Sequence, residues 1–149
     1  MLLYGSTFFS CVRSFLDLIK VMKKRESLLW LRIKKLKLKG QIFRIESNTI
    51  NGIPDIYWLI NGQSIWIELK SNSIKNCGLS KFQINWHNSH FKNGGRSFIL
   101  QRDLSLSKLK LFELRGSRVV NLLAEGVDDN GTLDLHFDCM RWHCEKIKF

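Results

Sequence analysis

The sequence has a single proline, Pro54, in 149 residues, and 44% of its residues are apolar. Disordered chains are poor in apolar residues, so this composition indicates an ordered globular protein. Long apolar runs are missing as well. The segment 1–21 is only mildly apolar and is broken by Arg13, Asp17 and Lys20, which excludes a membrane span. The same segment lacks the basic start and the small-residue cleavage site of a signal peptide.

Cysteine is scarce, with four residues at positions 11, 77, 139 and 144 and no Cys-x-x-Cys pair. Sparse, unevenly spaced cysteines are typical of a reducing compartment, so we expect a cytoplasmic protein. His136, Cys139, His143 and Cys144 lie close together in the sequence. Their spacing matches no common zinc finger, and we expect them to be ordinary buried or surface residues.

Acidic residues are few: 13 Asp and Glu stand against 24 Lys and Arg, which gives a net charge of +11. The excess is concentrated in residues 20–44, where ten Lys or Arg accompany one acid, Glu26. A strongly basic chain favours a polyanionic partner. We expect nucleic acid, although a membrane surface or simple solubility would also explain the charge. The length fits one domain with a real core.

Two strand-like runs, residues 56–60 and 64–69, flank the pair Asn61-Gly62. Asn-Gly is the preferred pair for a two-residue type I′ hairpin turn. In such a hairpin residues 60 and 63 pair, and the numbers of each cross-strand pair sum to 123. A longer turn or a bulge would shift this register. Both faces of the runs are apolar, so we expect central strands that helices cover.

The same register places two carboxylates opposite each other, Asp55 on one strand and Glu68 on the other. Directly opposed residues have Cβ atoms roughly 4.5–5.5 Å apart, and like charges repel there. A divalent cation would reverse this repulsion, because Mg²⁺ and Mn²⁺ bind carboxylate oxygens and keep positions open for water and phosphate. Lys70 shares a face with Glu68, where its ammonium could steady a phosphate oxygen or a water. A Pro-Asp turn or a Glu-x-Lys strand alone is common, but together they predict metal-dependent phosphodiester hydrolysis.

Pro54-Asp55, followed after twelve residues by Glu68-Leu69-Lys70, resembles the signature of the PD-(D/E)XK nuclease superfamily. Further motifs resemble its virus-type replication-repair nuclease (VRR-NUC) branch and related small phage nucleases. These motifs are Gly52-Ile53-Pro54-Asp55 and Gly78-Leu79-Ser80 with Gln83, Trp86 and His87. The resemblance covers residues 26–101.

The resemblance implies a Mg²⁺- or Mn²⁺-dependent DNA endonuclease, either a homing endonuclease of a phage intron or a nuclease for Holliday junctions and other branched DNA. Asp55, Glu68 and the backbone carbonyl of Leu69 would bind the metal, and Lys70 would stabilise charge or position the nucleophile. A homodimer would serve either substrate, because two strands must be cut. A phage-encoded enzyme would act in the cytoplasm of its bacterial host. The alternative is a non-catalytic nucleic-acid-binding protein with a degenerate nuclease fold.

Two further polar residues have both a structural and a family interpretation. Glu26 falls on the apolar stripe of a helix predicted over residues 23–38. It is either a first-turn acid favoured by the helix dipole or, by resemblance, a catalytic-site residue that acts as a further acidic ligand or as a hydrogen-bond partner near the metal. Gln83 completes a capping box with Ser80 for a helix that runs to about residue 91. The resemblance adds a catalytic role for Gln83 near the scissile phosphate.

Other side chains are predicted from their place in these helices. Phe82 and Trp86 are expected in the core, and His87 and His90 on the surface. The exposed lysines of both helices are expected to bind the backbone phosphates of the nucleic acid. These are Lys34, Lys35, Lys37, Lys39 and Lys81.

The pattern predicts the order α-β-β-β-α-β, then β and α. This order indicates an α/β domain with a mixed central sheet flanked by helices, and the resemblance implies a restriction-endonuclease-like core. Residues 1–21 are predicted to be a peripheral extension, and residues 22–149 a single nuclease domain. The other predicted elements are strands at 41–46, 96–101 and 104–114, a short helix at 117–125 and a turn at 128–131.

Overall fold

The computed structural model of the chain describes residues 5–116, 118–121 and 126–146, with side chains from residue 12 onward apart from that of residue 121. Within these ranges seven strands form one sheet, and three α-helices accompany it. The elements are α1 (Gly5–Lys35), β1 (Gln41–Arg44), β2 (Ile56–Ile60), β3 (Gln63–Ser71), α2 (Lys81–Lys92), β4 (Ser97–Asp103), β5 (Lys108–Arg115), β6 (Arg118–Asn121), β7 (Gly126–Val127) and α3 (Asn130–Glu145).

The sheet has the strand order β1-β2-β3-β4-β5-β6, and β7 also pairs with β5. Strands β3 and β4 are parallel, while the other neighbours are antiparallel. A parallel pair requires a crossover, which α2 provides. The predicted class, a mixed sheet flanked by helices, is confirmed.

The central hairpin has the predicted register. Ile56 pairs with Ile67 and Ile60 pairs with Gln63, so the pairs sum to 123. Asn61 and Gly62 have φ values of 50° and 74°, and a type I′ turn needs positive φ at both of its central positions. The turn chemistry therefore fixed the pairing of β2 with β3.

Helices cover both faces of this hairpin, as predicted. On one face Trp58 packs edge-on against Phe137 of α3, with ring centroids 5.2 Å apart, and Leu29 of α1 belongs to the same buried cluster. On the other face Trp66 packs against Trp86 of α2 at 5.3 Å. The face with Trp66 also carries Glu68 and Lys70, because strand side chains alternate.

Helix α1 is longer than predicted at its start and shorter at its end. It runs without a break through residues 5–21, and in residues 12–21 every side chain except Ile19 is exposed. This part is a peripheral helix, while residues 1–4 lie outside the described ranges. The helix ends at Lys35, and Lys37 has a left-handed φ of 50° that is incompatible with helix. Among the described residues, no helix combines the length and apolar character that a membrane crossing requires.

The predicted short helix at 117–125 is wrong over residues 118–121, which form β6; residues 117 and 122–125 lie outside the described ranges. Gly116, with φ 60°, reverses the chain, and the β-branched Val119 and Val120 favour a strand beside β5. The predicted turn at 128–131 is only partly right. Asp129 caps α3, because its side chain accepts a hydrogen bond from the Thr132 amide at 2.6 Å.

Candidate active site

An open cleft of about 590 Å³ lies between α1, the loop from β1 to β2, and the first turn of α2. Glu26, Asp55 and Gln83 line it, together with the basic residues Lys23 and Arg44. Most of the remaining lining comes from the loop at 45–53. The cleft therefore collects residues from four separate elements.

Asp55 is held where β1, β2 and β3 meet. Its Oδ2 accepts a hydrogen bond from the Leu69 amide at 2.8 Å, and its backbone carbonyl accepts one from the Ile45 amide at 2.7 Å. Burial raises the pKa of Asp55, although the Leu69 hydrogen bond and the positive charge of Lys70 oppose that shift. The carboxyl group is thus fixed in position while it remains partly open to the cleft.

Glu68 is buried behind Asp55, with 2% of its surface exposed. Its Oε1 accepts a hydrogen bond from Gln83 Nε2 and lies 3.2 Å from Lys70 Nζ, whereas its Oε2 is buried without a hydrogen-bond partner. Burial, aided by the negative charge of Asp55, raises the pKa of Glu68 to about 8. The two carboxyl groups act on each other as the hairpin register predicts.

Gln83 connects the start of α2 with this pair. The predicted capping box is confirmed, since Gln83 Oε1 accepts a hydrogen bond from the Ser80 amide at 2.9 Å and the Gln83 amide donates to Ser80 Oγ at 3.3 Å. Gln83 Oε1 also accepts a hydrogen bond from Lys70 Nζ at 3.1 Å. Gln83 therefore caps α2 and orients both Glu68 and Lys70, while a role at a scissile phosphate stays a prediction.

Glu26 lies in the second half of α1 and lines the cleft. Because α1 begins at Gly5, the interpretation of Glu26 as a first-turn acid is wrong. Burial raises the pKa of Glu26, and Lys70 and Asp55 are the charges that act most strongly on it. The structure thus brings Glu26 near Asp55, Glu68 and Lys70.

The donor groups at this site fit a hard divalent cation. Two carboxyl groups repel each other, and Glu68 Oε2 has no partner although it is buried. Ile56 and Ile67 form the last β2–β3 pair at this end of the hairpin. Leu69 follows Ile67 by two residues and lies next to Asp55, to which its amide donates a hydrogen bond. Mg²⁺ needs few protein ligands, because it usually keeps several waters.

In the part of the chain that the structure describes, no group of three or more His, Cys, Asp or Glu side chains is placed to hold a metal ion, and this includes Glu26, Asp55 and Glu68. His136 and Cys144 are instead buried, and Cys139 packs against the main core. A cation at the hairpin would therefore need the Leu69 carbonyl and water beside Asp55 and Glu68.

The predicted phosphate-binding lysines do not line the cleft. Lys34 follows Glu26 by eight residues, about 12 Å along α1 at 1.5 Å per residue, and Lys37 and Lys39 lie beyond the end of the helix. Lys34, Lys35, Lys37 and Lys39 form that group. Lys81 lies outside the lining too, at the start of α2. The cleft instead contains Lys23 and Arg44, which sequence reasoning missed; Arg44 donates a hydrogen bond to Ser27 Oγ at 3.2 Å.

Two predictions for α2 are wrong. Phe82, expected in the core, is 49% exposed, and His87, expected on the surface, is fully buried with Nδ1 2.5 Å from Ser97 Oγ. Gln83, His87 and His90 lie on the side of α2 that faces the sheet. Phe82, in the first turn of α2, lies off that side and is exposed to solvent. Trp86 is partly buried against Trp66, and His90 stacks on Trp86 at 4.8 Å.

No family model matches the chain, and no curated protein matches it. The functional argument therefore depends on geometry. The site combines two neighbouring carboxyl groups and an adjacent ammonium with a polar cleft, whose lining includes the basic Lys23 and Arg44 and the acidic Glu26, Glu46 and Asp55.

Proposed function

We propose that this chain is a Mg²⁺- or Mn²⁺-dependent DNA endonuclease of the PD-(D/E)XK type, with a restriction-endonuclease-like core. One observation carries the proposal: just past the last pair of the β2–β3 hairpin, Asp55 and Glu68 act on each other, while Lys70 and Gln83 contact Glu68 beside an open polar cleft. The element order α-β-β-β-α-β, with β3 parallel to β4, supports it.

Asp55, Glu68 and the Leu69 carbonyl would hold the cation. When bound, Mg²⁺ or Mn²⁺ supplies a water of lowered pKa and positive charge next to the phosphate. Glu68 would lose its proton in this role, because a ligating carboxylate must be ionised. Because burial raises the pKa of Glu68 to about 8, the cation would have to displace this proton near neutral pH, and Oε2, which has no other partner, would be available to bind it.

Lys70 would act on the reacting phosphate. Its Nζ lies between Glu68 Oε1 and Gln83 Oε1, at 3.2 Å and 3.1 Å, so the ammonium is held in place before substrate arrives. A fixed positive charge is most effective where negative charge develops in the transition state. Lys23 and Arg44 would contact the backbone phosphates on either side.

The substrate would be duplex DNA with a specific sequence, as for a homing endonuclease, or branched DNA such as a Holliday junction. A homodimer would place two such clefts on the two strands. Both substrates give the same first test, because each requires cleavage of a phosphodiester.

The test is nicking of supercoiled plasmid and of junction DNA with Mg²⁺, Mn²⁺ or EDTA. We expect nicking with either metal and none in EDTA. Asp55→Asn and Glu68→Gln should each slow nicking by about 100-fold or more. Asp134→Asn is the matched control, because Asp134 is exposed on α3, which packs on the opposite face of the hairpin.

Nicking by both site variants at the wild-type rate would contradict the assignment. DNA binding by the wild type without nicking under any of these conditions would favour the non-catalytic alternative.

A further inference from the structure

Two large apolar side chains are exposed at the mouth of the cleft. Phe82 is 49% exposed and Ile50 is 55% exposed, and both line the cleft. Single exposed apolar residues are common on protein surfaces and need no explanation. Here two of them line one otherwise polar cleft beside the candidate active site, which suits a ligand with an apolar face.

The backbone of Phe82 is fixed relative to the active site. Phe82 precedes Gln83, whose side chain contacts Glu68. Gly52, with φ 83°, lies so close that a Cβ there would overlap the carbonyl oxygen of Phe82. The loop that carries Ile50 is therefore seated directly on the first turn of α2.

Polar and cationic groups surround these apolar side chains. Asn48 and Asn51, both exposed, line the same cleft and offer amide donors and acceptors. Lys81 Nζ lies 5.6 Å from the centre of the Phe82 ring, and Lys23 stands on the α1 side of the cleft. An apolar face, amide groups and cations together match a nucleobase with its phosphate.

A base within a continuous duplex cannot use this site, because its faces are already stacked on its neighbours. Single-stranded segments differ, since their bases can stack on aromatic side chains while cations follow the backbone. We infer that Phe82 and Ile50 bind an unpaired nucleobase next to the scissile phosphate. This inference rests on the proposed function and narrows its substrate to nucleic acid with a single-stranded or splayed segment at the cut.

Fluorescence anisotropy in EDTA tests binding without cleavage. Three labelled probes share one duplex: one is blunt, one has a single-stranded tail, and one has an abasic tail with the same number of phosphates. Wild type should bind the tail with bases about 5- to 150-fold more tightly than the abasic tail. Two further probes, a free single strand and a forked duplex, show whether the unpaired base comes from single-stranded or from branched nucleic acid.

Variants of α2 test whether the Phe82 ring causes the preference for the tail with bases. Phe82→Ala should bind both tails equally, and Phe82→Tyr should keep the preference of the wild type. Phe91→Ala is the matched control, because Phe91 is 38% exposed on the same helix but does not line the cleft. Thermal unfolding checks that each variant folds, and Ile50→Ala should reduce the preference independently of α2.

Equal binding of both tails by the wild type would overturn this inference and leave the proposed nuclease function untouched. Base-dependent binding that is lost in Phe82→Ala, in a protein that never nicks DNA, would support the nucleobase site, refute the nuclease and remove the scissile phosphate from the inference. Absence of binding to every probe would overturn this inference, and the nicking assay would then decide the nuclease function separately.

Discussion

Replacing Glu68 by Gln should make the metal-free protein more stable at alkaline pH. Glu68 is 2% exposed, and burial raises its pKa to about 8 from an ordinary value of 4.5. The folded state therefore retains this proton to a higher pH than the unfolded state does. The resulting contribution to stability is fully present below pH 4.5 and is lost as the pH rises through about 8.

The size of the effect follows from the two pKa values of Glu68. Each pKa unit corresponds to about 1.4 kcal/mol, so the complete loss is about 5 kcal/mol, of which roughly 3 kcal/mol has accumulated at pH 7. Between pH 5 and pH 9 the wild type should lose about 4 kcal/mol through this group. The Gln variant has no proton to lose there and can still accept the hydrogen bond from Gln83.

Urea unfolding at pH 5, 7 and 9 in EDTA measures this difference. The gap between Glu68→Gln and the wild type should widen in favour of the variant as the pH rises, while Asp134→Asn should follow the wild type. Mg²⁺ should stabilise the wild type at pH 9 and not the variant, because a ligand that binds only the folded state raises its stability. Parallel pH profiles for the variant and the wild type would refute the account of Glu68.

Three further predictions use other parts of the molecule. Burial lowers the pKa of His87 to about 4, so as the pH drops from 6.5 to 4 the wild type should lose about 3 kcal/mol of unfolding free energy relative to His87→Gln in urea titrations, while the Glu68 contribution is common to both proteins. A chain shortened to begin at Met22 should fold and nick normally, because residues 12–21 are almost wholly exposed; loss of soluble protein would refute this. Lys23→Gln should reduce the slope of log K against log salt by about 0.9 on duplex DNA, and Lys34→Gln by less. Equal reductions would show that phosphate contacts continue along α1.

The central hairpin was predictable because its determinants are local. Asn61-Gly62 selects one turn type, and the strand period of two then places Glu68 and Lys70 on one face. The capping box of Ser80 and Gln83 was predictable for the same reason. In each case the interacting groups are specified by a few neighbouring residues.

The wrong or missed features depend on contacts between distant elements. Lys23 and Arg44 reach the cleft only because α1 packs beside the end of β1, which no local pattern reveals. Phe82 and Trp86 have the spacing of a core pair. The way in which α2 packs on the sheet nevertheless leaves Phe82, in the first turn, exposed and buries His87. For β6, the signal was present in the turn at Gly116 and in two adjacent valines, but a strand there also needs β5 as a partner.

The most direct test of the central claim is the location of Mn²⁺ by anomalous X-ray scattering in crystals grown with that ion. The account predicts a peak within ligand distance of both Asp55 and Glu68, close to the Leu69 carbonyl, and no peak there in Glu68→Gln. Mn²⁺ bound only elsewhere on the protein, or no Mn²⁺ between the two carboxylates of an ordered wild-type hairpin, would contradict it.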